Sequence, residues 1–340
     1  MKAAVLRSPF QINVEEVLKP SVSAQNVLVG IHSTAICGTD VGIYTGKHPV
    51  KFPLIMGHET TGEVVEVGKE VTKIHIGDRV VVDPTISCGT CYLCRMGKFH
   101  LCQEGGLMGR EDQGSYAEFA VVPETRTFLL PGNISYEDGT TLIALANVLC
   151  AQRKLPYLAG CSLAILGMGV TGLLHLQLAK ASGASPILVS EMVPWKLDLA
   201  RRFKADVVVD AKGKDPLKIL RETTSGKGAD VVIESIGGGA TIKQSFEMVR
   251  PGGIILQFGI AGKPVDGLDF YQIYYKELTI LGTRVFAPRD MELSLKLASA
   301  GAVDLSPFIT HRFKLAEIGK ALEFIHKDPN SALRAVVQTV

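Results

Sequence analysis

Residues 162–181 constrain this chain more than any other stretch. An apolar run at 162–166 leads directly into Gly167, Gly169 and Gly172, and these open a helical pattern that starts at Val170 and runs to Ala181. Glycine at the first position permits a tight turn, at the second a close approach of backbone to a pyrophosphate, and at the third close packing of helix on strand. The helix N-terminus then faces the phosphates. Glu191 ends the next apolar run, where an acid can accept hydrogen bonds from adenosine ribose hydroxyls. A carboxylate there repels a 2′-phosphate, so NAD is expected over NADP. Lys196, a little further on, is placed to reach the same ribose, with a solvated helix lysine as the plain alternative.

The alternation continues, with apolar runs at 187–191, 206–210, 230–234, 253–259 and 278–282. It implies a parallel sheet wrapped by helices. Before it, the first 130 or so residues read as short strands, among them 26–32, 60–67, 78–83 and 115–121, punctuated by glycine and proline. After it come helical stretches at 290–300 and 315–327 and an apolar run at 335–340, a tail too short to fold alone and expected to pack back on the first half. At 340 residues the chain exceeds one ordinary hydrophobic core. The expected architecture is α/β: a mainly β domain from 1–150 and 288–340, with a doubly wound parallel-sheet domain, 151–287, inserted.

Thirty-six Lys and Arg against 34 Asp and Glu leave a net charge of +2 with no long run of one sign, so nucleic acid is not an expected partner. The first residues lack the layout of a secretory signal. The longest mostly apolar stretch, 162–179, is broken by three glycines and carries His175 and Gln177, which suits a strand, turn and buried helix better than a bilayer span, so no membrane segment is expected. A cytoplasmic location is expected. There, an odd count of seven cysteines favours metal over disulfides.

Four of them, Cys88, Cys91, Cys94 and Cys102, stand as C-x2-C-x2-C-x7-C. Four thiolates on one loop can close tetrahedrally around zinc with no open position, a structural site. An iron–sulfur cluster is the competing reading, although the spacing differs from common cluster runs. A second group is dispersed: Cys37, then Gly38, Thr39 and Asp40, and later Gly57, His58 and Glu59. Sulfur, nitrogen and oxygen donors together suit zinc with an open position, and Asp40 can orient His58 from behind.

With these residues the chain resembles the zinc-containing medium-chain alcohol dehydrogenases, in particular the sorbitol and threonine dehydrogenase branch. The resemblance covers essentially the whole length, through Cys37-Gly38-Thr39-Asp40, Gly57-His58-Glu59, Gly77-Asp78-Arg79-Val80, the four-cysteine lobe, the glycine fingerprint and Ile309-Thr310-His311-Arg312-Phe313. It implies a GroES-like catalytic domain built from both chain ends, an inserted Rossmann domain, a homodimer or homotetramer, one structural and one catalytic zinc, and NAD. The implied reaction moves a hydride from a secondary alcohol or polyol to NAD, with zinc as Lewis acid. Thr39 matches the position that bonds the reacting oxygen and passes its proton on through the cofactor ribose. Arg334 matches a basic position near the pyrophosphate, with a surface arginine as the plain alternative.

Two positions depart from the family pattern. Relatives carry a histidine two residues past Asp40, the outer end of the proton relay; here Gly42 stands there, and the relay ends in solvent or at His48. Relatives also supply a further zinc ligand at a position that counts to Ile143 or Ala144, neither of which can bind metal. Water, Asn147 or Cys150 is left to complete the shell, or the metal is labile. The alternative function is a dehydrogenase fold that binds nucleotide with a degenerate metal site and little turnover. Tyr44, Phe52 and Arg110 are candidate pocket walls, and the sequence does not choose among alcohols.

Overall fold

The computed structural model describes residues 1–156 and 158–339; the last residue of the expected apolar run 335–340 lies outside the described residues. The apolar runs of the second half form the strands Leu163–Leu166, Ile187–Glu191, Val207–Asp210, Ala229–Glu234, Val249–Gln257 and Thr279–Gly282. All pair in parallel, in the spatial order third, second, first, fourth, fifth, sixth. Parallel neighbours need crossovers, and the helices Val170–Ala181, Pro194–Arg202, Pro216–Thr223 and Gly239–Met248 supply four of them. The strand order reverses beside Leu163–Leu166, and ligands of such sheets bind at the carboxyl ends there. Ala164, Leu166, Leu188, Val209, Val232 and Ile255 form the apolar centre.

The mainly β part is organised by the long strand Asn26–Ala35, which pairs antiparallel with Glu59–Val67, Phe119–Pro123 and Arg334–Gln338. The tail returns here: Arg334–Gln338 also pairs in parallel with Ile309–Lys314. Helix Ile318–Lys327 places Ile318, Ala321 and Leu322 on one face, and these bury against Leu6, Ile43 and Met56. By contacts the chain divides into Met1–Ala146 with Phe286–Val340, and Asn147–Val285, against expected changes at 150/151 and 287/288. Helix Thr141–Gln152 carries the chain through the first change.

Two local expectations differ from the structure. The strand expected at 115–121 forms only at Phe119–Pro123, because Ser115 and Tyr116 bond instead to the backbone of Gly57 and Met56. Helix Thr141–Gln152 escapes a periodicity reading because it is apolar nearly all round, as a helix buried on every side is. Among the described residues no helix is long and apolar enough to cross a membrane.

Candidate functional site

Cys88, Cys91, Cys94 and Cys102 meet on a loop that the short helix Tyr92–Arg95 folds back on itself. Their sulfurs lie within 4.8 Å of one another, with Cys102 3.5 Å from Cys88 and 3.8 Å from Cys91. Zinc–thiolate bonds of about 2.3 Å in a tetrahedron set sulfurs about 3.8 Å apart. The cage fits zinc and has no open side. Backbone donors at Thr90 and then Cys91 hold the Cys88 thiol below its usual range, toward the thiolate that a metal needs. Arg126 ties this lobe to the sheet, donating to Asp83 at 2.6 Å and Ser87 at 2.5 Å with its guanidinium over the Phe99 ring.

The second group is assembled by strand pairing. Cys37 follows the strand Asn26–Ala35 and caps the helix Gly38–Tyr44, while Ala35 lies opposite Glu59 in the neighbouring strand. The thiol, the imidazole of His58 and the carboxylate of Glu59 therefore fall within 4.8 Å of one another, a spread that one cation can draw together. Asp40 is fully buried behind them. Its Oδ2 accepts from the Cys37 backbone N–H at 2.9 Å and from the Tyr116 hydroxyl at 3.1 Å. Its Oδ1 stands 3.3 Å from His58 Nδ1, at an angle that leaves both atoms without a well-formed hydrogen bond. Burial alone would depress the His58 imidazole, but the nearby charge of Asp40, with that of Cys37 beside it, outweighs burial and holds it well above its ordinary value. A ring oriented by a carboxylate at Nδ1 presents Nε2 to a metal.

Arg334 is only 4% exposed, and its Nη2 donates to the Glu59 carboxylate and, at 3.0 Å, to the Thr140 carbonyl oxygen. Its charge balances that of the buried Glu59 carboxylate. Tyr116 and this pairing are absent from the sequence reading. A buried tyrosine hydroxyl usually finds a partner, but nothing in the sequence names Asp40 as that partner. Thr39 is half-buried, and its hydroxyl makes no hydrogen bond with the described residues. Ile143 and Ala144 are buried apolar side chains in Thr141–Gln152, with no ligand atom to offer.

Of the candidate pocket walls, Tyr44 is buried edge-on to Phe10 with ring centroids 5.2 Å apart, and Arg110 pairs with Glu111 at 3.2 Å. Phe52 remains exposed. A cavity of about 1110 Å³ lies beside the four-cysteine lobe, lined by Pro84, Cys88 and Phe99, and touches none of Cys37, His58 and Glu59.

In the parallel-sheet unit, Gly167 takes a φ of +90° and Gly172 comes so close that a Cβ would strike the Gly167 carbonyl oxygen. Gly169 caps the helix that begins at Val170, and nothing lies within 4 Å of where its Cβ would be. The N-terminal donors and the positive end of the helix dipole therefore face open space that suits a phosphate. Glu191 is tied to this turn: its carboxylate accepts from Met168 N at 2.8 Å, Met192 N at 2.6 Å and Val193 N at 3.0 Å. Lys196 is buried rather than solvated, its ammonium 5.5 Å from the Trp195 ring centre.

Two family models match the chain, the alcohol dehydrogenase GroES-like domain over residues 23–132 and zinc-binding dehydrogenase over residues 170–300. L-threonine 3-dehydrogenase of Pyrococcus furiosus is 37% identical over 92% of this chain and 91% of its own length. Sorbitol dehydrogenase of Bacillus subtilis is 29% identical over 99% and 97%. Among solved structures, a zinc-binding dehydrogenase from Sinorhizobium meliloti bound to NADP superposes with a TM-score of 0.91 at 32% identity, covering 99% of each chain. Zinc and a nicotinamide cofactor, a mixed α/β fold with a GroES-like and a Rossmann domain, and oxidoreductase activity all follow. The chain is thus a member of the zinc-containing medium-chain alcohol dehydrogenase family.

Proposed function

We propose that this enzyme oxidises a secondary alcohol or polyol to the ketone with NAD as acceptor. The observation that carries the reading is the convergence of Cys37, His58 and Glu59 beside the unpartnered hydroxyl of Thr39. Zinc in that cage supplies Lewis acidity, and NAD a hydride acceptor. The protein's part is positional. Cys37, His58 and Glu59 hold the cation, Asp40 fixes the imidazole with support from Tyr116, and Arg334 shares the charge of Glu59. With three protein ligands, one position is left for water or substrate oxygen. The Thr39 hydroxyl accepts a hydrogen bond from the substrate hydroxyl and, as it takes up that proton, passes its own outward. Gly167, Gly169, Val170 and Gly172 bind the pyrophosphate, Glu191 the adenosine ribose with Lys196 next to it, and the carboxylate of Glu191 selects NAD over NADP.

The second reading, a fold that binds nucleotide with little turnover, draws on the apolar side chains of Ile143 and Ala144. Metal analysis with an NAD-linked absorbance assay on secondary alcohols and polyols, L-threonine and sorbitol first, separates the two. About two zincs per chain with turnover supports the first; one zinc, with NAD bound but unreduced, supports the second. The same proposal includes self-association. The strand Thr279–Gly282 is an edge of its sheet among the described residues and follows the exposed Phe270, Tyr271, Tyr274 and Tyr275 in the chain, a combination that a second copy covers through a two-fold contact. No disulfide forms among the described residues, as the cytoplasmic location proposed for this chain requires.

A further inference from the structure

Helix Gly38–Tyr44 carries Thr39 and Gly42 three residues apart, on one face, where side-chain positions lie about 5–6 Å from each other. Gly42 is buried, and a Cβ on it would come within 2.6 Å of His48 Nε2 and nearer still to Cδ2. The imidazole of His48 thus occupies the space that a side chain at 42 would fill. The backbone brings it there: Gly46 turns the chain with a φ of +76°, and His48 N donates to the Gly42 carbonyl oxygen at 2.9 Å. His48 is half-buried, and its ring nitrogens make no hydrogen bond or ion pair with the described residues. An imidazole that the fold does not use lies on the Thr39 face with access to water.

We propose that His48 is the base that takes up the proton set free when the substrate hydroxyl is oxidised, and that residue 42 is glycine to admit its ring. This rests on the reading under Proposed function. Oxidation breaks the carbinol C–H and O–H bonds. The hydride, with its electron pair, reduces NAD to NADH; the proton converts neutral His48 to imidazolium, which releases it to water. An imidazole nitrogen can both accept a proton and release it, as the base at the end of a relay must. The other titratable groups on the elements packed here are Asp40 and Tyr44 on the helix, Lys47 and Lys51 on the loop of His48, and Lys320, Glu323, His326 and Lys327 on Ile318–Lys327.

The test uses the zinc-loaded full chain. Alcohol oxidation is followed from about pH 5.5 to 9 in the wild type, His48→Gln and the control His326→Gln, while NMR follows the imidazole signals. The wild-type rate is expected to rise with pH through the ionisation that NMR assigns to His48. His48→Gln should lower kcat at neutral pH on the order of tenfold with little change in KM, and flatten that limb. Added imidazole should restore the rate. So should Gly42→His combined with His48→Ala, which returns an imidazole to the same space from the helix; a merely structural His48 would not be rescued in this way. His326→Gln should leave the profile unchanged. A His48→Gln enzyme with the wild-type rate and profile, or a limb unrelated to the His48 ionisation, overturns the inference alone. A wild type that oxidises no alcohol overturns the reading beneath it as well.

Discussion

The four-cysteine cage takes identical ligands from one loop, whereas the second cage takes a thiol, an imidazole and a carboxylate from the ends of two paired strands. Identical thiolates close a tetrahedron and exclude any further ligand, so such a site can only hold its loop in shape. The mixed cage is built differently at every point. Its imidazole is oriented by the buried Asp40, its carboxylate is shared with the buried Arg334, and the helix that offers Thr39 starts at its thiol. In the open site proposed here the imidazole and the carboxylate each have a buried charged partner of their own, which the four-cysteine cage does without.

Breaking the open cage should have the largest effect. Cys37→Ser is expected to lower turnover by about 10²- to 10³-fold, the scale of removing a main electrostatic contact to a reacting oxygen. Circular dichroism, melting temperature and the zinc of the other cage should stay as in the wild type. Asp40→Asn keeps all three ligands and removes the charge behind His58 along with one of the two acceptor oxygens there. A loss of about 10- to 100-fold in zinc affinity or activity is expected, read by competition with a chelator. Glu191→Ala tests the proposal that this acid selects the dinucleotide with which the open cage works. The ratio of kcat/KM for NAD over NADP should fall about tenfold, the worth of a ribose hydrogen bond; an unchanged ratio would defeat the assignment. Cys94→Ser should have the smallest effect on turnover per folded molecule and yet lower the melting temperature with loss of one zinc. Loss of turnover in molecules that remain folded would show that the two cages are not separable.

The parts of the molecule that local pattern fixes were open to reading in the sequence. The strand Ile187–Glu191 and the helix Val170–Ala181 fall where apolar runs and glycines put them, because each element is set by its own residues. The cysteine spacing is likewise a local property of one loop. The surroundings of the mixed cage are not local. Arg334 reaches Glu59 only because the last strand pairs beside the first long one, and no spacing encodes that meeting. Tyr116 reaches Asp40 only because its segment leaves the ladder to bond with Met56 and Gly57. Gly42 reads in the sequence as a missing histidine. In three dimensions it is the room that His48 fills.

The most direct measurement is anomalous scattering at the zinc edge from crystals of the full chain, paired with turnover before chelation, after it, and after zinc is returned. The expected result is density among Cys37, His58 and Glu59 that disappears with turnover and comes back with it, while the four-cysteine cage keeps its metal throughout. Undiminished alcohol oxidation with no metal among those three residues would contradict the account.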